Sequence, residues 1–329
     1  MHLTLALPAL CRDGLENAGG LDLPALNSLL RFGKFTAHSA LPSEFYAKYL
    51  WRGSLLTAAK QSLGLDVGQA AVFASPVWQQ MGMHHMDMLG GGAVGISEAE
   101  SAELIADLNA FYQADGWCFY ALRPDWWLLT LPQEPDWCVA PLPDALGQND
   151  GTVRAEGKDA AQWLQMQTEM QMLLHNHALN NVRAREGLPA INGVWLWQDL
   201  AGALPPEYPL LGSDSMWAQF YPGQRLDAPY DLQAWFAYLD EQPVAASHSV
   251  LFLDDLSAMR DTGDIWSYQN LLLEWEQRFF APAYAALQTG RLKSLQIATD
   301  GVYGGVLSVA AKPGWAFWKR KKIFSGRLD

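Results

Sequence analysis

The densest group of potential metal ligands in this chain is Met81, Met83, His84, His85, Met86 and Met88, in the run MGMHHMDMLGGGAVG. Thioethers and imidazoles are soft donors, and together they suit an ion such as Cu(I). Methionine also fills irregular apolar gaps without any metal, so the run reads more simply as a packed loop or strand with two partly exposed histidines. A carboxylate group, Asp254, Asp255, Asp261 and Asp264, follows a strand pattern at 249–253. Open α/β sheets place ligands beyond the carboxyl ends of their strands, so a metal site is conceivable there. No histidine lies among the four, and they read as solvated loop aspartates. A polar knot, His175, Asn176, His177, Asn180, Asn181 and Arg183, ends a helical pattern just before an apolar strand. His175 and His177 are two apart and point to different helix faces, so they cannot jointly grip one ion from a regular helix. His177 reads as packing or capping, and His175 as solvated. The glycine run LGGGAVG precedes a helix start, where backbone N–H groups can hold an anion. No Gly-Lys-Ser/Thr follows to make a P-loop, and it reads as a flexible connection. A last segment mixes Trp315, Phe317 and Trp318 with Lys319, Arg320, Lys321 and Lys322, a basic aromatic pattern able to touch a membrane surface or an acidic partner. There is no G-x-S-x-G, no Cys–His pair at a recognisable spacing and no dinucleotide fingerprint.

The elements that must position these groups follow from periodicity. Residues 3–7 form a first strand. Pro24 opens a short helix that Gly33 ends, the usual placing of proline and glycine. Residues 43–63 read as one longer helix, and 70–78 as a buried strand. Ser97 with Glu100 makes a capping box for a helix carrying Leu104, Ile105, Leu108, Phe111 and Tyr112 and stopped by Gly116. Residues 117–122 and 126–131 pair as strands around Arg123-Pro124-Asp125, before a proline-rich loop at 132–147. From Asp159, paired with Gln162 as a cap, a helix places Trp163, Met166, Met170, Leu173 and His177 on one face. A strand at 191–197 follows. Later come a loop-rich 201–229, a helix at 232–239, the strand at 249–253, a long helix at 264–288 and strands at 292–298 and 303–311. Strands alternating with helices imply an α/β sheet, and the middle third reads as an α+β insertion.

Half of the 329 residues are hydrophobic, ample for a large core in one domain or two. The net charge of −13 repels phosphate backbones and disfavours nucleic-acid binding. The three cysteines, Cys11, Cys118 and Cys138, have no paired or metal-type spacing and suggest reduced thiols in a cytoplasmic protein. The opening MHLTLALPAL has no basic region or cleavage pattern and does not read as a signal peptide. No uncharged apolar run reaches membrane-spanning length.

Several segments, in order, carry a family likeness. LDLPALNSLLRFGK, VGISEAESAELIADLNAFYQADGWCFY, APLPDALGQN, HALNNVRAREGLPAINGVWLW and DTGDIWSYQNLLLEW with LQIATDG are the matching pieces. The chain resembles the bacterial RpfE-type regulatory proteins, which in turn look like the archaeal-type cofactor-independent phosphoglycerate mutases of the alkaline phosphatase superfamily. The resemblance implies an α/β, alkaline-phosphatase-like three-layer core with an inserted α+β domain: core at 1–78, insertion at 79–189, core again at 190–329. In the mutases two divalent metals are held by Asp and His, and a serine takes the phosphoryl group. Here the first strand, LTLALPA, lacks the expected aspartate, no Asn-x-Ser follows, Asp300-Gly301 stands for an aspartate–histidine pair, and Pro143 stands for a loop histidine. Asn180, Arg183, Asn192 and Asp300 survive by position.

The expectation is therefore a mutase-like protein without the metal ligands and nucleophile, a non-catalytic regulatory protein that binds a small anionic ligand or a protein partner. No cofactor is expected. Its ligand would meet Asn180, Arg183, Asn192 and Asp300, in a cleft between core and insertion. The alternatives are an active metal-dependent mutase or phosphatase with a rebuilt site, and a copper-binding protein using Met81 to Met88.

Overall fold

A computed structural model describes residues 1–12, 21–81, 86–146, 155–207, 209–241, 247–313 and 318–329. The chain forms two compact units, Met1–Arg52 with Gly202–Asp329, and Gly53–Ala201. Both mix strands and helices, so the α/β expectation holds at that level. The expected borders at 78/79 and 189/190 both fall inside the second unit. The reason is strand pairing: the strands Ala71–Met81 and Gly193–Trp197, assigned from sequence to the core, pair antiparallel with each other.

The first unit is built on a seven-stranded sheet. Its centre is the strand His2–Ala6, flanked in parallel register by His248–Phe252 and Ser294–Thr299. Parallel strands buried on both faces are near-continuous apolar runs, as LTLA and SVLF are here. Leu210–Gly212 and Arg225–Leu226 extend the sheet in parallel on one side. Gly305–Ala310 and then Lys34–Ala37 extend it antiparallel on the other. Helices Pro24–Phe32, Leu232–Glu241, Ile265–Trp275 and Ala281–Thr289 bury Leu26, Leu29, Trp235, Leu272, Trp275 and Leu287 in one core.

The helix expected at 264–288 is interrupted by a π turn, Glu276–Phe280. Pro282 just beyond it has no N–H to donate to the preceding turn. The turn has a use: Glu276 accepts the N–H groups of Ala25 and Leu26 at 2.5 and 3.1 Å. These are orphan donors at the start of the helix Pro24–Phe32, whose own N-cap residue, Leu23, offers no side-chain acceptor.

The second unit holds a five-stranded antiparallel sheet around Ala71–Met81, with Met86–Gly90, Trp126–Thr130, Cys118–Arg123 and Gly193–Trp197. Gly193–Trp197 is an edge strand, and the helix Ala160–His175 covers its outer side. Trp163 Nε1 and Gln167 Nε2 donate to the Leu196 and Val194 carbonyls at 3.0 and 2.8 Å, satisfying an edge that would otherwise invite another strand.

Two further expectations change. Residues 43–63 form two helices, Pro42–Leu50 and Leu55–Ser62, separated at Gly53, where φ is +73° and the chain passes from one unit to the next. Asp159 does not cap with Gln162; its carboxylate accepts the Asp136 N–H at 2.8 Å. Among the described residues no helix is long and apolar enough to cross a membrane.

Candidate functional site

In the first unit, the three central strands all end on one side of the sheet, at Ala6, Phe252 and Thr299. Here a parallel sheet exposes its carboxyl ends, and the polar groups converge. The loop after the first strand, Leu7-Pro8-Ala9-Leu10, brings only backbone. The Ala9 N–H donates to Asp300 Oδ1 at 2.6 Å, and the Leu10 N–H to Thr299 Oγ1 at 3.2 Å. Ala9 has φ of +61°, a left-handed conformation that disfavours a side chain and that these two bonds hold in place.

Asp254 follows the strand His248–Phe252. Its Oδ2 accepts the Ser215 hydroxyl at 2.6 Å. Ser215 is placed by its N–H on Ser213 Oγ at 3.1 Å, while the Ser213 hydroxyl donates to the Phe252 carbonyl at 2.8 Å. Burial pushes the Asp254 carboxyl up to about 6, and Asp255 and Asp214 add to the push against the Ser215 bond. The helix Asp255–Thr262 then supplies Ser257, 3.1 Å from the buried Tyr46 hydroxyl, and Arg260. Burial and the nearby Asp254 raise the Tyr46 phenol well above its ordinary value.

Arg260 joins the carboxylates. Its Nε donates to Asp261 Oδ1 at 2.9 Å, and a terminal nitrogen lies 3.4 Å from Asp300 Oδ2. Asp300 is only 2% exposed, so both its oxygens are met by protein donors in a buried setting. Burial raises the carboxyls of Asp300 and Asp261. Burial also opposes charge on Arg260, but Asp261 and Asp300 outweigh it and its pKa is raised. Asp254 and Asp261 are therefore packed groups, not the solvated loop aspartates expected from sequence, whereas Asp255 and Asp264 are exposed. Asp264 caps the helix Ile265–Trp275 by accepting the Ser267 N–H at 3.0 Å.

This donor set does not fit a divalent metal. It contains no imidazole or thiolate, a guanidinium is already held between Asp261 and Asp300, and Asp300 also takes a backbone N–H. Among the described residues no three His, Cys, Asp or Glu side chains are grouped to hold an ion. Of the Met/His run, Met83, His84 and His85 lie outside the described residues; Met81 and Met86 are paired strand positions, and Met88 is buried.

The four residues carried over by position fall in both units, Asp300 in the first and the others in the second. Arg183 is fully buried and is not a ligand-facing group. It binds Glu100 Oε1 at 2.7 Å and the Pro189 carbonyl at 2.8 Å, and it also donates to the Gly95 and Val94 carbonyls. Glu100 is the capping-box residue read from sequence, and its other oxygen holds the Ser97 N–H at 2.8 Å. Burial would raise the Glu100 carboxyl, but Ser97 and Arg183 together lower it. The end of the glycine run thus offers the Val94 and Gly95 carbonyls to the Arg183 guanidinium. Asn180 bridges the Leu174 carbonyl and both backbone groups of Ile191, at 2.8 to 2.9 Å. Asn192 pairs with both backbone groups of Gln79 at 2.8 Å, as a strand neighbour would. All three tie backbone segments together. His177 caps the helix Ala178–Arg185 through Nδ1 and meets Asp107 through Nε2 at 2.9 Å, and His175 is exposed.

Arg260, Tyr46 and Ser215 escaped the sequence reading. The one available signal was the Asp254-Asp255 pair directly after an apolar strand; nothing local marks a tyrosine or a serine from distant segments.

No family model matches the chain, and no curated protein matches it. Among solved structures it is similar to PH0037 from Pyrococcus horikoshii, with a TM-score of 0.50 and 13% identity, covering 99% of this chain and 91% of that one. It is also similar to the cofactor-independent phosphoglycerate mutase from Thermoplasma acidophilum DSM 1728, with a TM-score of 0.43 and 12% identity, covering 99% and 94%. The likeness to PH0037 is one of fold.

Proposed function

We propose that this protein is a non-catalytic relative of the phosphoglycerate mutases, with an alkaline-phosphatase-like core, that acts by binding. The RpfE-type resemblance suggests a regulatory role, in the cytoplasm, toward a small anionic ligand or a protein partner. The observation that carries the reading is Arg260 held between Asp261 and Asp300. Asp300 is the residue of the late metal motif that persists in the sequence, and its charge is already answered by a guanidinium and the Ala9 N–H. Phosphoryl transfer through metals needs ions that neutralise the attacking and leaving oxygens. A fixed cation among the carboxylates works against a second cation, and among the described residues no histidine is grouped with them to help hold one.

A coupled mutase assay with Mn²⁺ or Mg²⁺ tests this directly. The expected result is no turnover above the blank. Metal-dependent turnover that Asp300→Ala abolishes overturns the proposal. A second reading, a mutase or phosphatase with a rebuilt site, draws on the Ser215–Asp254 hydrogen bond of 2.6 Å at the strand ends. For that reading, turnover would be lost on Ser215→Ala.

A further inference from the structure

The chain is acidic overall, but its charge is unevenly placed. Residues 23–43 contain no Asp or Glu, and residues 278–328 contain only Asp300. Together these two segments hold half of the 22 Lys and Arg residues. They are far apart in sequence, and the fold brings them together. Gly305–Ala310 pairs with Lys34–Ala37 at the sheet edge, and the Phe32 ring stacks on Tyr284 with centroids 6.5 Å apart. Asp300, the single carboxylate within them, is buried against Arg260 and Ala9.

The basic segment near 320 is fastened to this side at two points. Lys319 Nζ donates to the Phe32 carbonyl at 3.2 Å, and Arg31 Nε donates to the Lys319 carbonyl at 2.8 Å. Further on, Phe324 and Leu328 are buried in the core, and the Phe324 N–H donates to Asn27 Oδ1 at 2.7 Å. Residues 318–323 are all exposed. They form a pinned arch, WKRKKI, with Trp318 72% and Ile323 73% exposed at either end of four cations. The basic aromatic segment is thus anchored at both ends and displayed between them.

We propose that this arch docks onto an anionic lipid surface. Basic side chains next to an exposed tryptophan and isoleucine match the bilayer interface, where indole sits at headgroup level and cations meet acidic lipids. An acidic protein surface would use the cations but would not call for the flanking apolar groups. The net charge of −13 does not prevent docking. At physiological salt, charges beyond roughly 8 Å are largely screened, so the local patch governs.

Vesicle flotation of the full chain tests the proposal. Co-flotation is expected with phosphatidylcholine vesicles containing phosphatidylserine, with loss as salt rises. The Lys321→Gln, Lys322→Gln variant keeps Phe324 and Leu328 and should bind about 30-fold more weakly. Trp318→Ala should weaken binding without changing its salt dependence. Absence of flotation, equal flotation with phosphatidylcholine alone, or an unaffected double variant overturns the proposal. So does binding to polyglutamate without binding to vesicles, which assigns the face to an acidic protein.

Discussion

At the scale of single residues, the same side-chain type serves opposite ends according to its surroundings. Arg183 was expected to meet an anionic ligand because it survives by position in the family resemblance; in the structure it is held by Glu100 and backbone carbonyls. Removing one partner of a buried ion pair leaves the other unanswered, so Arg183→Leu should cost about 3–5 kcal/mol of stability by urea unfolding. A residue kept for binding would leave stability nearly unchanged. Asp254 makes a different prediction. Its raised carboxyl means the folded state holds a proton that the unfolded chain has already released. Stability from this group is present at low pH and is lost as pH rises from the ordinary carboxylate value to about 6. Asp254→Asn, which still offers an oxygen to the Ser215 hydroxyl, should flatten that decline. Thermal unfolding of both proteins across this range checks it. The polar character of these residues was legible in the sequence. Their partners were not, because each partner lies on another segment.

At the scale of elements, periodicity and capping signals located the central strands and most of the longer helices. The Ser97–Glu100 box and the stops at Gly33 and Gly116 stand as read. Failures came where a local pattern had a tertiary competitor. The apparent helix at 43–63 breaks because Gly53 takes a left-handed φ where the chain changes unit. Asp159 has the right spacing for a cap but turns to the Asp136 N–H. The helix Pro24–Phe32 shows the converse, since its missing local cap is supplied by Glu276, more than two hundred residues later. Glu276→Ala should therefore behave as a lost helix cap and cost about 2 kcal/mol, read as a lower urea midpoint with an unchanged m-value. A surface glutamate at that position would leave the midpoint where it is.

At the scale of the whole molecule, residues 53–201 form a continuous stretch with its own five-stranded sheet and buried tryptophans. Expressed alone, this stretch should unfold cooperatively with a near-ultraviolet signal from packed indoles; a non-cooperative transition would show that its core depends on the remainder. The first unit is discontinuous, and its sheet and its charge distribution exist only once residues 1–52 meet 202–329. The sequence by itself determined the α/β class, the apolar strands at the sheet centre and the lack of histidines in the aspartate group, because composition and period are local properties. Tertiary structure alone decided that Arg260 answers Asp261 and Asp300, that Arg183 is locked, and that two acid-poor segments share one side. Apart from the neighbouring Asp261, those outcomes depend on distances between residues that lie on separate elements, from 40 positions apart for Arg260 and Asp300 to more than two hundred for the paired acid-poor segments, which spacing along a chain does not encode.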